Sequence, residues 1–314
     1  MKMTVKKTMT ACIACLFSVS LAHAAVGNKP VPDKKTLIAP RTAAAAKAAP
    51  EAKPLDLPTL TAQQIVDRNV AARGGLAAWQ GVQSMSMTGK LDAGKVKKDG
   101  GTIGITDKRK AKAELRKTLF DKSEATAEKI IQLPFQLDMQ RPLKTRLEIP
   151  FQGQTAVQVY DGTQGWKLRP FLGRHEVEPF SSAELKLAAD QQQLDGPLIN
   201  HAAKGTKVAV DGTDLVDGHD TYRLKLTLKN GDVRRLWVDA RTFLDVKFEG
   251  ALRHFDGEMR PVATYFRDYK AVDGLMIPHL LVTAVEGTRV SENIVVEKVA
   301  LNVALDDSRF KKPQ

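Results

Sequence analysis

Residues 222–239 read YRLKLTLKNGDVRRLWVD and predict a β-hairpin. Tyr222 and the three leucines that follow it alternate with charged or hydroxyl side chains, which is the period of a strand with one buried face. Asn230-Gly231 then supplies the residue pair that most favours a tight turn between antiparallel strands. The return strand covers Arg234–Asp239. An antiparallel sheet with one apolar face therefore lies at the centre of the predicted fold.

The same alternation predicts further strands on both sides of this hairpin. These strands cover Met85–Leu91, 114–120, 130–139, Leu143–Phe151, 156–160, 243–249, 262–270, 277–286 and 289–303. Residues 93–112 are rich in Gly and Lys and predict a hairpin or a loop. Asp161-Gly162 predicts a turn, and so do Asp211-Gly212 and Asp217-Gly218.

Helices are predicted in only two places, 61–80 and 181–203. Thr61 and Gln64 have the spacing of a capping box, and Leu76–Trp79 predicts a second short helix after it. Ser181 or Ser182 caps the next helix, and another follows at about 196–203. No βαβ unit separates the strands, so the fold class is α+β rather than α/β.

A chain of this length forms one domain if its strands curl into an open barrel. We therefore predict a strongly curved antiparallel half-barrel whose concave face is covered by the helices. An apolar space between helices and sheet would then take a small or lipidic ligand.

The N-terminus has the features of a cleavable secretory signal peptide over residues 1–24. Lys2, Lys6 and Lys7 precede an apolar run, Ala11–Ala22, and Ala22-His23-Ala24 provides small residues before the cut. The run has about twelve residues, whereas a membrane-spanning helix needs roughly 20. An uncleaved anchor and a lipid anchor on Cys12 or Cys15 are the alternatives. We expect the mature chain to begin at Ala25, in the periplasm.

The mature chain differs in composition from the full chain. Both cysteines lie within residues 1–24, so the mature chain has no disulfide and no thiolate metal site. Residues 25–60 are rich in Pro, Ala and Lys and predict a disordered linker, followed by a single domain over 61–314. Removing residues 1–60 also halves the net charge of +12. With no basic block among aromatic residues, nucleic acid is not an expected partner.

Several short motifs, in their order along the chain, resemble the periplasmic outer-membrane lipoprotein-sorting proteins and their LolA/LolB-like relatives. The resemblance covers roughly 61–313. It rests on Ala71-Ala72-Arg73-Gly74-Gly75-Leu76 with Trp79, Tyr160-Asp161-Gly162 before Gly165-Trp166, Tyr222–Asp239, Arg267-Asp268-Tyr269, Val272–Pro278, and Asn302 with Leu305–Ser308, Phe310 and Pro313.

The resemblance implies a curved half-barrel with a helical lid and a cavity for acyl chains. The partner it implies is a lipid or an acylated lipoprotein, with transient contact to the inner or outer membrane. It implies neither a catalytic activity nor a cofactor.

The residues give little support to catalysis or metal binding. The histidines are scattered, and no paired-ligand spacing or nucleophile elbow is present. Asp211, Asp214, Asp217 and Asp220 do not match a calcium loop, and turns explain them better. Glu176 and Glu178 share a strand face, but no other residue supports a role for them in acid–base catalysis. We predict a non-enzymatic protein with no cofactor and no metal.

Seven residues are candidates for the wall of an apolar cavity. Aromatic and methionine side chains suit a variable apolar ligand, although ordinary core packing explains them as well. The candidates are Trp166, Trp237, Met85, Met87, Tyr222, Leu224 and Leu226. The predicted function is a periplasmic carrier or binding protein for lipidic cargo. The alternative is a non-catalytic envelope scaffold that binds a protein partner through its surface.

Overall fold

The computed structural model describes residues 57–96, 129–170, 174–191, 194–255, 258–288 and 291–314. The predicted signal peptide, nearly all of the predicted linker and the predicted strand at 114–120 lie outside these ranges. The described helices are α1 (Ala62–Ala72), α2 (Leu76–Gly81), α3 (Ser182–Gln191) and a 3-10 helix (Asp307–Phe310).

All strands in the described ranges belong to one antiparallel sheet of 13 strands. They are β1 (Ser84–Val96), β2 (Lys129–Gln140), β3 (Lys144–Phe151), β4 (Gln154–Tyr160), β5 (Gly165–Arg169), β6 (Arg174–Pro179), β7 (Lys207–Val216), β8 (His219–Thr227), β9 (Val233–Asp239), β10 (Asp245–Phe255), β11 (Glu258–Val272), β12 (Leu275–Val285) and β13 (Ser291–Leu301). Their order in the sheet is β6-β5-β4-β3-β2-β1-β13-β12-β11-β10-β9-β8-β7.

Two meanders form this sheet, one of β1–β6 and one of β7–β13, and they join where β1 pairs with β13. The edge strands β6 and β7 do not pair with each other, so the sheet stays open. The α+β class and the open antiparallel sheet predicted from the sequence are confirmed.

The β8–β9 hairpin has the predicted turn and register. Leu224 pairs with Leu236, and Gly231 takes a positive φ of 86° at the turn. The side chains of both leucines pack against Ile65 and Val66 of α1. We call this side of the sheet the inner face. Alternation along the strands places the neighbouring residues, such as Trp237, on the outer face.

The inner face carries most of the core. Its residues in β1–β4 and β13 form one apolar cluster, which includes Leu91, Phe135 and Leu147. A second cluster joins Trp79 of α2 to Met85 of β1. Since each fully buried large apolar side chain stabilises the fold by roughly 1.5–3 kcal/mol, these contacts hold the short helices on the sheet.

The C-terminal segment covers part of the outer face. Phe310 of the 3-10 helix is buried against Val157 and Val159 of β4. Arg309 of the same helix pairs with the fully buried Asp138 of β2. The segment thus gives a buried carboxylate a cation and covers apolar side chains that would otherwise meet water.

Both predicted N-caps are present. The Thr61 hydroxyl accepts from the Gln64 amide at 3.2 Å and the Thr61 amide donates to the Gln64 side chain at 2.9 Å. At α3 the cap is Ser181, whose hydroxyl accepts from the Glu184 amide at 3.3 Å while its own amide donates to the Glu184 carboxylate at 2.7 Å. Each capping box satisfies amides that the first helical turn leaves free.

The long connection between the edge strands crosses the inner face. It contains α3 and the turns at 194–205, where a helix over 196–203 is predicted from the sequence. That prediction is wrong, because these residues form successive turns in which Gly196 and Asn200 take positive φ, a conformation that a right-handed helix does not contain. Leu198 and Ile199 are nevertheless fully buried against α1 and α2.

Other differences concern strands with weak alternation. β5, β6 and β7 carry few large apolar residues and are not predicted from the sequence. The Asp217-Gly218 turn is confirmed, whereas Asp211-Gly212 lies inside β7. There the pairing with β8 is interrupted between Val210 and Thr213 and then resumes, as at a β-bulge.

Candidate functional site

A cavity of about 240 Å³ lies between the inner face and the segments that cross it. Strands β1, β2 and β9–β13 supply the side chains on the sheet side, and α2 and residues 194–206 supply the opposite side. Its walls include Trp79, Met85, Met87, Phe135, Leu137, Met139, Leu194, Pro197, Leu236, Phe248, Val262, Phe266, Ile277, Leu281, Ile294 and Val296. These walls are mainly apolar, as in sites that enclose hydrocarbon, and polar side chains such as Arg73, Asp245 and Arg234 complete them.

The walls of the cavity extend over several residues of the central strands. In β10 its walls include Asp245 at one end and Gly250 at the other. These two residues are five positions apart, which corresponds to about 16 Å of strand. In the antiparallel strand β11 the walls run from Tyr269, at the Asp245 end, to Val262, near Gly250. The cavity is therefore long enough along the strands to accommodate part of an extended chain.

One end of the cavity is a buried polar cluster. Arg73, which follows α1, donates to the Asp195 carbonyl at 2.9 Å, and its guanidinium lies 3.8 Å from the Asp245 carboxylate. The Asn69 amide donates to the same carboxylate at 2.9 Å and to the Phe243 carbonyl at 2.7 Å. The cluster fixes the end of α1 to the β9–β10 turn and closes this end of the cavity.

Burial changes the pKa values of two groups at this end of the cavity. Loss of water raises the pKa of the Asp245 carboxyl, and the Arg73 charge and the Asn69 hydrogen bond only partly oppose the rise. Loss of water also raises the pKa of the Tyr269 hydroxyl well above its ordinary value. That hydroxyl donates to the Asp245 carbonyl at 3.0 Å. Tyr269 is therefore a neutral hydrogen-bonding group at this end of the cavity.

Asp195 joins the crossing segment to the sheet. Its carboxylate lies 2.9 Å from Arg141 and 2.6 Å from Lys204. Burial lowers the pKa of Lys204, while the Asp195 charge acts in the opposite direction. Because Asp195 is almost fully buried, losing either cation would leave a carboxylate without adequate compensation. The Arg141 pair attaches this segment to the end of β2, and the Lys204 pair lies within the segment.

Five of the seven predicted wall residues lie on the inner face. Met85 and Met87 line the cavity. Tyr222, Leu224 and Leu226 instead pack beneath α1, and the Tyr222 hydroxyl donates to the Pro58 carbonyl at 2.9 Å. In these three positions the inner face is filled by the helix, and the free space begins at the next strand, β9.

The two predicted tryptophans lie on the outer face and are not among the cavity walls. Trp237 packs against Val216 and Val246, and its indole donates to Asp214 at 3.1 Å. Trp166 packs with the cluster around Phe310. Strand alternation explains both positions, because each tryptophan is offset by one residue from the inward positions of its hairpin.

Sequence reasoning missed the polar walls. Arg73 belongs to the motif Ala71–Leu76, but nothing in that motif indicates burial. Arg234 carries a clearer signal, since it occupies an inward position of β9, two residues before Leu236. A charged residue at an apolar position of an alternating strand marks a place where the inner face meets a polar group.

Asp211 and Asp214, which do not match a calcium loop, form ion pairs with arginines. Asp211 pairs with Arg223 and Arg235, at 3.2 and 3.0 Å, and Asp214 pairs with Arg223 at 3.4 Å. Within the described ranges, no three His, Cys, Asp or Glu side chains are grouped so that they could hold a metal ion. In the same ranges, no helix combines the length and the hydropathy that crossing a bilayer requires.

No family model and no curated protein matches the chain. Solved structures do match. A LolA superfamily protein from Nitrosomonas europaea is 15% identical with a TM-score of 0.47, over 81% of this chain and 99% of the other. A DUF1329 family protein from Desulfovibrio piger is 15% identical with a TM-score of 0.48, over 81% and 98%. A lipoprotein-sorting protein domain from Vibrio parahaemolyticus is 14% identical with a TM-score of 0.46, over 79% and 95%.

The solved structures include the LolA superfamily, which the sequence motifs resemble. All three TM-scores are below 0.5, so this likeness assigns no ligand, partner or activity to the chain. The proposals that follow rest on the cavity.

Proposed function

We propose that this protein is a non-enzymatic carrier that binds one acyl chain of a lipid or of an acylated lipoprotein. The observation that supports the proposal is the largely apolar cavity between the inner face and the segments that cross it. An apolar cavity of this kind is an unfavourable place for water and a favourable one for hydrocarbon. The acyl chain would remain in the cavity while the lipid or lipoprotein crosses an aqueous compartment.

The size of the cavity limits how many acyl chains it can hold. Its volume, about 240 Å³, is just below the roughly 300–1,000 Å³ of typical ligand sites. A single chain is therefore a better cargo than a lipid with two. Each methylene that leaves water contributes about 0.8 kcal/mol, so affinity should rise with chain length until the cavity is full.

In this proposal the helices and residues 194–206 form a lid over the inner face. Two contacts in the first half of α3 support it, since Glu184 pairs with Lys167 of β5 at 2.5 Å and Lys186 with Asp232 of the β8–β9 turn at 3.5 Å. The helix thereby bridges the two meanders. A cargo would enter when this bridge and the Asp195 contacts loosen.

The proposed location is the periplasm. Residues 1–24 would direct export, residues 25–60 would be a flexible tether, and residues 61–314 would be the binding domain. Leu57 and Leu60 pack against the cluster beneath α1, so the tether would join the domain a few residues before the helix. In that compartment lipids and acylated proteins must cross water to reach the outer membrane.

The first test is whether the purified protein carries and takes up acyl chains. Organic extraction followed by mass spectrometry should recover lipid from this protein and none from a control protein of the same preparation. Titration with dodecanol, monitored by calorimetry, should show saturable binding to the delipidated protein.

Two substitutions on β1 separate the cavity from the surface. Met87→Trp fills part of the cavity and should weaken dodecanol binding at least tenfold, because a large ring occupies the space of the chain. Lys90→Trp adds the same ring at an exposed position of the same strand and should leave binding unchanged. A delipidated protein that binds no dodecanol would instead favour a scaffold with a dry core.

A further inference from the structure

One wall of the cavity carries a positive charge at the end opposite Asp245. Arg234 of β9 is an inward residue that pairs in the sheet with Leu226, and it lines the cavity with Leu228 and Gly250. Its side chain is only 14% exposed. A guanidinium at such a position is costly unless its charge is compensated.

The compensation that Arg234 receives is weak. Among the described residues its hydrogen bonds go to the adjacent Val233 carbonyl, at 2.9 Å, and to the Asp232 carboxylate, at 3.3 Å. Asp232 is also within 3.5 Å of Lys186 in α3. One carboxylate is therefore shared by two cations, and this end of the cavity keeps a net positive charge.

Its neighbour Arg235 shows the contrast. Arg235 lies on the outer face, 3.0 Å from Asp211 and 3.5 Å from Glu249. Two carboxylates thus face this arginine on the surface, whereas the less exposed Arg234 shares a single one. Arg234, which lines the cavity, therefore has less compensation for its charge than Arg235 has.

The two ends of the cavity also differ in access. At the first end Arg73 and Asp245 are both buried, and their charged groups lie 3.8 Å apart. Arg234 lies beside the β8–β9 turn, where Lys229, Asn230 and Gly231 are exposed. A ligand placed lengthwise would keep its apolar tail toward Arg73 and its polar head near the solvent-facing end.

We propose that the cavity selects single-chain amphiphiles with an anionic oxygen head group, and that Arg234 binds this head group. The inference rests on the proposed function and names its ligand class. A planar guanidinium can bind a carboxylate or a phosphate through two N–H donors at once. The head group would share Arg234 with Asp232, and the acyl chain would lie along Met87 and Phe248 toward Met85.

The test compares ligands that differ only in charge. Dodecanoate and dodecanol are titrated into delipidated wild-type protein, Arg234→Gln and the matched control Arg235→Gln. Arg234→Gln should weaken dodecanoate binding about tenfold more than it weakens dodecanol binding, because only the anion uses the guanidinium. Arg235→Gln should leave both affinities unchanged. A lysophosphatidate with the same chain, titrated in parallel, distinguishes a lipid phosphate from a free fatty acid as the source of the head group.

A charge-conserving variant and salt keep the test independent of folding. Arg234→Lys should recover part of the dodecanoate affinity, and added salt should weaken dodecanoate binding to the wild type more than to Arg234→Gln. If Arg234→Gln binds dodecanoate and the lysophosphatidate as well as the wild type does, the head-group site is wrong while the carrier proposal stands. If the wild type binds none of these amphiphiles, dodecanol included, both proposals fail.

Discussion

At the scale of single residues, the cavity depends on polar groups that are buried to close its first end. Asn69 is fully buried, and its amide donates to both Phe243 and Asp245. Alanine at this position would remove both hydrogen bonds and leave the Asp245 carboxylate with less compensation. We expect a loss of about 1–3 kcal/mol in the free energy of unfolding.

Urea denaturation measures this loss, and Gln63→Ala is the control. Gln63 is an exposed residue of the same helix whose side chain donates to Asp67. Its replacement should change the free energy of unfolding by less than about 0.5 kcal/mol. Equal effects of the two variants would show that the Asn69 contacts contribute little.

Gly89 of β1 is required for a close approach between strands. A Cβ atom there would lie 1.9 Å from the Val295 carbonyl oxygen and 3.0 Å from the Phe135 ring. Because the obstacle is backbone, Gly89→Ala should destabilise the protein by several kcal/mol or shift the β1–β13 pairing.

The matched substitution is Gly81→Ala at the end of α2, where a new Cβ would meet no atom within 4 Å. Thermal unfolding should show a large fall in Tm for Gly89→Ala and little change for Gly81→Ala. A fall of the same size in both variants would contradict the steric explanation.

Residue patterns predict buried faces better than they predict cavities. Alternation places Met85, Met87, Tyr222, Leu224 and Leu226 on one face, and the structure agrees. It does not tell which part of that face α1 fills, because this depends on where the helix lies across strands distant in sequence. Thus the first two residues line a cavity and the other three are core.

At the scale of elements, α3 bridges the two meanders through an ion pair that responds to pH. Burial alone would raise the pKa of Glu184, but hydrogen bonds from Lys167 and from the Ser181 amide outweigh it and lower the pKa. Glu184 therefore stabilises the folded state above its ordinary pKa of about 4.5, and this contribution is lost as the pH falls below that value and through the lower pKa of the folded state.

Glu184→Gln removes the group that titrates. At pH 7 the variant should be less stable than the wild type, and the difference should shrink as the pH falls from 5 to 3. Chemical denaturation at several pH values measures both trends, and Glu176→Gln, an exposed carboxylate of β6, is the control. A difference that stays constant over this pH range would exclude the ion pair as its source.

The elements that sequence patterns predict best are those with strong local signals. The capping box at Thr61 and the Asn230-Gly231 turn are both present as predicted. The helix expected at 196–203 is absent because tertiary contacts of Asp195 and Leu198 outweigh local helix propensity. Strand β7 was missed because it has one buried residue and lacks regular alternation.

At the scale of the whole molecule, binding in the cavity should stabilise the fold. A ligand at 100 times its Kd adds about 2.7 kcal/mol to the free energy of unfolding. For a domain of this size that corresponds to a rise in Tm of roughly 5–10 °C. Dodecanol should produce this rise in the wild type and in Lys90→Trp, but much less in Met87→Trp. Equal rises in all three proteins would indicate binding elsewhere.

Sequence patterns predicted the class and openness of the sheet but not its strand order. Local hairpins follow from alternation and turn residues, whereas the pairing of β1 with β13 joins residues about 200 positions apart, such as Met87 and Val299. No local signal specifies that pairing. It is nevertheless the pairing that brings Met87 and Ile294 together as walls of one cavity.

The most direct test of acyl-chain binding uses methionine methyl groups as reporters. Met85, Met87 and Met139 line the cavity, whereas Met259 is exposed on β11 and Met276 is not among the walls. In protein labelled with ¹³C at the methionine methyls, NMR titration with dodecanol should shift the signals of the three wall residues. The signals of Met259 and Met276 should remain in place. Shifts confined to Met259 or Met276, or no shift at saturating dodecanol, would contradict the assignment of this cavity as an acyl-chain site.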